Sequence, residues 1–193
     1  MTQKTPVASD TGPLLSAFQC GRVDLMVRTF GPIYLVDSIV EECRQHGAGD
    51  DIQTLIEESS AVVIGYLSDD EQRQAQELAR QIAASPYSKV IAASPYSKVA
   101  DPLHHLPEAE LMIMARRCDL NCEAILLEEK AARDVAQHIG LEVTGFVGVL
   151  IQACRDGLLE PDDIRTLLHE CRSRGTRYTD ALIEDAVRRA GGE

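Results

Sequence analysis

Two acidic residues stand directly behind short β-rich runs: Asp10 follows Pro6-Val7-Ala8-Ser9, and Glu128 follows Ala124-Ile125-Leu126-Leu127. In an open parallel sheet, ligands bind beyond the carboxyl ends of the strands, so both side chains are expected at one sheet edge. Two more acidic stretches have helical character and are candidates to face that edge, VDSIVEEC with Glu41 and Glu42, and LPEAELMIMARR with Glu108 and Glu110. Ser38-Ile39-Val40-Glu41 fits a capping box, which would fold Glu41 back onto its helix start and leave Glu42 free. Helix residues two apart point roughly 200° away from each other, so only one of Glu108 and Glu110 is expected to line a site. Carboxylates gathered at one edge repel unless a cation is held among them, and hard oxygen ligands select Mg2+ or Mn2+. The matching chemistry is metal-assisted attack of water on a phosphodiester, because the ion lowers the pKa of water and stabilises charge on phosphate oxygens.

The elements that must position these acids alternate along the first 145 residues. Strands are expected at 6–9, 32–36, 61–67, 124–127 and 142–144, and helices at 13–20, 38–46, 50–58, 69–84, 107–118 and 129–139. Such alternation marks a parallel sheet covered on both faces, an α/β fold. From 146 onward the pattern is helical only, with Gly157, Gly175 and Gly191 where helix ends favour a left-handed residue and Pro161 at a first helical position. This gives an α/β domain over 1–145 and a helical C-terminal extension over 146–193 packed on the same domain.

Composition narrows the function. The chain has 193 residues, 45% of them hydrophobic, which suffices for one packed core. It has no apolar run of membrane-spanning length, and its first residues lack a secretory apolar stretch, so a cytoplasmic protein is expected. The formal net charge of −12 opposes broad attraction to nucleic acid and leaves room only for a local basic path. Candidates for that path are Arg116 and Arg117, Lys130 and Arg133, and Arg172, Arg174 and Arg177; solvated helix faces explain them equally well. The six cysteines read as buried apolar side chains, and the pair Cys118 and Cys122 lacks the partners of a zinc set. His104-His105 is expected in a loop. No Gly-rich phosphate loop follows the first strand, which argues against a nucleotide-binding fold.

The chain resembles PIN-domain proteins, and within them the VapC-type toxin-like branch with an additional helical C-terminus. The resemblance is carried by SDTGPLLSAF, PIYLVDSIVEEC, LPEAELMIMARR, LLEEKAARDVAQHIGLEVTGFVGVLIQA and RGTRYTDALIEDAV. It implies a PIN-like fold, a central parallel β-sheet flanked by helices, and the activity of an Mg2+- or Mn2+-dependent endoribonuclease acting on RNA at an acidic pocket. The family's four acids fall on Asp10, Glu42, Glu110 and Glu128, as catalytic residues and metal ligands. Glu110 is preferred to Glu108 because its separation of eighteen residues from Glu128 is the one the family commonly shows. Thr11 follows the first acid, as a support for a carboxylate or phosphate or as a helix cap. The resemblance further implies the toxin of a toxin-antitoxin pair, a small antitoxin partner and a homodimer. Glu at 110 and 128, where many relatives carry Asp, supports a second reading: a catalytically weak PIN-like protein that acts as a binding or regulatory module.

One segment stands apart. Ile82–Val90 is repeated at once as Ile91–Val99, the nonapeptide IAASPYSKV twice. A nine-residue shift turns a helix through about 900°, half a turn out of phase, and Pro86 and Pro95 oppose helix continuation. The stretch 82–99 is therefore expected to be a duplicated, exposed loop insertion ahead of the Glu110 helix.

Overall fold

Three residues of Val7–Ser9 form the first strand, β1, and all three are buried, as a central parallel strand covered on both faces requires. They belong to a computed structural model that describes residues 4–58, 60–91, 101–122 and 124–192. The other strands are β2 (Ile33–Leu35), β3 (Ala61–Val63), β4 (Ala124–Leu126) and β5 (Val143–Thr144). All pairings are parallel, and the order across the sheet is β3-β2-β1-β4-β5. The chain thus builds outward from β1 in one direction, then returns to add β4 and β5 on the other side. That reversal lies between β1 and β4, the position at which open α/β sheets bind ligands.

Eleven helices among the described residues flank the sheet: α1 (Thr11–Gln19), α2 (Val23–Phe30), α3 (Asp37–Gln45), α4 (Gly49–Glu57), α5 (Asp69–Ala84), α6 (Pro86–Ile91), α7 (Leu106–Ala115), α8 (Lys130–His138), α9 (Phe146–Arg155), α10 (Pro161–Ser173) and α11 (Asp180–Ala190). A 3-10 turn at Pro102–His105 leads into α7. The α/β architecture with a helical C-terminus is the one expected from the alternation. Of the helices, α2 was not anticipated; its VDLMVRTF is rich in β-branched residues that carry little helical propensity, and it is held by burying Leu25 and Met26.

Several local expectations need correcting. The helix carrying Glu42 begins at Asp37 behind Val36, one residue before the presumed Ser38 cap, so no Ser38–Glu41 capping box forms. Glu41 instead lies on the exposed face, paired with Arg44 at 3.6 Å. A capping box is formed at Ser68 and Glu71. Gly157 and Gly175 do take left-handed conformations (φ 70° and 108°), but at the last helix it is Gly192 (φ 88°) rather than Gly191 (φ −74°). Cys118 is exposed, Cys122 is half-buried and packs against the core, and Cys20, Cys43 and Cys171 are buried thiols.

The first copy of the nonapeptide is not an exposed loop. Ile82 to Ala84 complete α5, with Ile82 fully buried, and Pro86 opens α6 at its first position, where a missing N–H is harmless. Ser88 Oγ donates to Ile82 O at 2.8 Å, and Lys130 Nζ lies 4.3 Å from the Tyr87 ring, tying α6 to the start of α8. The second copy, from residue 92 on, lies outside the described residues.

The C-terminal helices close on α1. Cys171 Sγ donates to Ser16 O at 3.2 Å, Thr176 Oγ1 to Gln19 Oε1 at 2.5 Å, and Ser16 Oγ and Tyr178 OH share a hydrogen bond of 2.9 Å.

Candidate acidic site at the sheet edge

Asp10 leaves β1 and stands at the N-cap of α1, its N–H bonded to Leu126 O of β4 at 3.0 Å. Glu128 follows β4 on the other side of the reversal. Gly12 lies between them: a Cβ built there would meet Glu128 Cβ and Cγ at 3.4 Å and Asp10 Oδ2 at 3.9 Å. Those are ordinary contact distances, so the backbone at Gly12 lies against both acidic side chains.

The remaining acids arrive on α3 and α7. Thr11 Oγ1 donates to Glu42 Oε2 at 2.6 Å, joining the first turn of α1 to α3. One turn earlier on α3, on the same helix face, Ser38 Oγ donates to Glu110 Oε2 at 2.6 Å. Glu108 has different neighbours, His105 and Glu129; the carboxyl of Asp10 is raised well above its usual range by burial first and by the charge of Glu108 next. Glu42 adds to that rise, while the N–H groups of Thr11 and Gly12 oppose it. Asp10 and Glu128 thus stand at the switch point, the charges of Glu108 and Glu42 act on Asp10, and Glu110 is held by Ser38 one turn before Glu42 on α3. Both α7 acids are half-buried, so neither is simply left in solvent.

Burial also raises the carboxyls of Glu128 and Glu108. For Glu128 the rise is countered by Tyr178, the Phe146 N–H and Arg133; its Oε1 accepts from Tyr178 OH at 2.9 Å and from Phe146 N at 3.4 Å. For Glu108 it is countered by His105. His105, fully buried at the end of the 3-10 turn, places Nδ1 3.2 Å from Glu129 Oε2 and 3.9 Å from Glu108 Oε1. Burial acts to raise Glu129 as well, but the bond and charge of His105 outweigh it and leave that carboxyl below its usual value. Ligand atoms of His105, Glu108 and Glu129 lie within 4.8 Å of one another. Glu129, Tyr178 and Ser38 were missed in sequence, and His105 was expected in a loop; the one local signal was the three-residue spacing from His105 to Glu108.

This donor set suits a hard divalent cation. Several carboxylates interact there, with raised proton affinity at Asp10, Glu108 and Glu128, and a bound cation would relieve both the repulsion and the burial cost.

The basic residues sort unevenly. Arg117 pairs with Glu71, Arg172 with Asp180 and Arg174 with Glu170, at 2.7, 2.5 and 2.9 Å. Arg133 instead donates to Leu127 O at 2.8 Å and lines a cavity of about 340 Å3 with Glu128, Gly145, Tyr178, Leu182 and Arg189. Among the described residues, no carboxylate lies within ion-pair distance of Arg133.

A parallel α/β sheet with clustered acids at its switch point defines a class of acidic-site α/β proteins. The chain belongs to the PIN-domain family, whose model matches residues 59–192. Comparison with curated proteins and with solved structures gave no match. The matched region contains Glu108, Glu110 and Glu128, and Asp10 and Glu42 precede it. Membership points to nuclease-type chemistry, since PIN domains are generally metal-dependent nucleases. No helix among the described residues is long and apolar enough to cross a membrane.

Proposed function

We propose that the chain is a divalent-metal-dependent endoribonuclease that hydrolyses RNA phosphodiesters at this acidic recess. The observation that carries the reading is the meeting of Asp10 and Glu128 across Gly12, with Glu108 charge beside Asp10, in a family of nucleases. Asp10, Glu108 and Glu128 are the residues that would hold Mg2+ or Mn2+. Sequence spacing favours Glu110 as the third acid, and the charge that Glu108 exerts on Asp10 supports Glu108. Glu42 and Glu110, held by Thr11 and Ser38, line the approach and orient the attacking water or a second ion. The bound ion supplies Lewis-acid stabilisation of phosphate charge and a more acidic water. Arg133 and Arg189, in the cavity beside Glu128, suit the phosphates that flank the scissile bond.

A role as the toxin of a toxin-antitoxin pair, with a small antitoxin over the acidic recess and a homodimeric assembly, rests on the motif resemblance. Co-purification with the product of an adjacent small gene tests it. The nuclease reading is tested by incubating a mixed RNA pool with Mn2+ or Mg2+ and wild type, Asp10→Asn, Glu110→Gln or Glu128→Gln protein. Cleavage by wild type and its loss in Asp10→Asn and Glu128→Gln is the expected result. Equal cleavage by all four proteins excludes the site. Absence of cleavage by any moves the chain to the binding-module reading.

A further inference from the structure

We propose that Tyr178 is a positioning residue for Glu128, which makes the C-terminal helices part of the acidic site. This rests on the metal-dependent nuclease reading of that site. Tyr178 lies in the turn between α10 and α11, fifty residues from Glu128 in sequence, and is 6% exposed. Its hydroxyl has two partners, Glu128 Oε1 and Ser16 Oγ, each at 2.9 Å. A phenol has one proton to donate, and an ionised carboxylate only accepts. The order is therefore fixed: Ser16 donates to Tyr178, and Tyr178 donates to Glu128.

Ser16 alone would satisfy the buried phenol, so the bond to Glu128 is not needed to bury the ring. It acts on the carboxylate. The additional methylene of Glu, compared with Asp, gives Glu128 another rotatable bond that positional chemistry must immobilise. Tyr178 and the Phe146 N–H both hold Oε1, which orients the group and leaves the second oxygen for a cation. The anchor is firm because α1 holds it from two positions, Ser16 at the hydroxyl and Gln19 through Thr176. Since Asp10 stands at the N-cap of α1, one helix sets the places of both strand-end acids.

The test compares full-length wild type, Tyr178→Phe, Ser16→Ala, Asp10→Asn, Glu128→Asp and the Tyr178→Phe/Glu128→Asp double variant. Mn2+ affinity is measured by calorimetry, RNA cleavage as kcat and KM, and folding by thermal melting. Tyr178→Phe is expected to weaken Mn2+ binding or lower kcat by about tenfold, with KM for RNA unchanged. Ser16→Ala, which leaves the Tyr178–Glu128 bond, is expected to lose less. In the Glu128→Asp background, where the carboxylate falls short of the phenol, Tyr178→Phe is expected to add nothing. Wild-type behaviour of Tyr178→Phe, or losses in both single variants that only follow their melting temperatures, overturns the assignment. If Asp10→Asn loses Mn2+ while Tyr178→Phe keeps it, Tyr178 alone is refuted. If wild type binds no Mn2+ and cleaves no RNA, the nuclease reading fails and the assignment with it.

Discussion

Thr11 Oγ1 donates a 2.6 Å hydrogen bond to Glu42 Oε2, fastening the turn after Asp10 to the middle of α3. Thr11 is buried and its hydroxyl bonds a carboxylate, a contact worth about 1.5–3 kcal/mol. Thr11→Val keeps the shape and removes the donor. Mn2+ affinity and cleavage rate are expected to fall by about tenfold, measured by calorimetry and RNA turnover, while Thr11→Ser retains most of both. Loss in neither variant would leave Thr11 only a helix-start residue.

Glu108 and Glu110 make a sharper comparison because they share α7 and differ in their partners. Glu108 acts on Asp10, and Glu110 accepts from Ser38. Glu108→Gln is expected to weaken Mn2+ binding by at least about tenfold and Glu110→Gln by clearly less. The reverse order in a calorimetric titration would restore the assignment drawn from sequence spacing.

That contrast marks the boundary of what the sequence shows. The five strands and the first and last acids are legible because a parallel sheet leaves short β-rich runs and places the next polar residue at its edge. Which α7 acid acts on Asp10 is set by packing on the sheet, which the two-residue spacing of Glu108 and Glu110 cannot decide. Ser38 was misread because the helix starts at Asp37, which turns the serine from a cap into a partner of Glu110. Pro86 reads locally as a breaker, yet it opens α6 instead. Tyr178 has no local signal, since its partners lie 50 and 162 residues away along the chain.

Raised proton affinities at Asp10, Glu108 and Glu128 give the site a definite pH response. A carboxyl whose folded pKa exceeds its unfolded value contributes stability that is present at low pH and lost as pH rises through the folded pKa. Without divalent ions, the melting temperature is therefore expected to rise on mild acidification from neutral pH, down to the ordinary carboxylate range near about 4. With saturating Mn2+ the trend is expected to flatten or reverse, because protons and cation compete for the same oxygens. Calorimetric melts at several pH values, with and without Mn2+, check both slopes; a metal-free protein that only loses stability on mild acidification would contradict the raised values.

The pair of Glu71 and Arg117 predicts the opposite dependence far from the acidic recess. Arg117 Nε and Nη2 reach the two oxygens of Glu71 at 2.7 and 2.8 Å, and Nη2 also donates to Tyr66 O at 2.6 Å, clamping the start of α5 to the end of α7. The guanidinium, followed by the Ser68 N–H, holds the Glu71 carboxyl down to about 2 from an ordinary 4.5. A depressed carboxyl stabilises the fold above its unfolded pKa, and that contribution is lost as pH falls from about 4.5 toward 2. Side-chain exposures of 22% and 23% leave some solvent screening, so Arg117→Ala is expected to cost about 1–2 kcal/mol at neutral pH. Urea unfolding of wild type and variant at neutral pH and near pH 3 measures the difference, which narrows at the lower pH as Glu71 gains a proton. Since α7 also carries Glu108, a parallel Mn2+ titration of Arg117→Ala is expected to show affinity close to wild type wherever the protein is folded, separating stability of the scaffold from chemistry of the site.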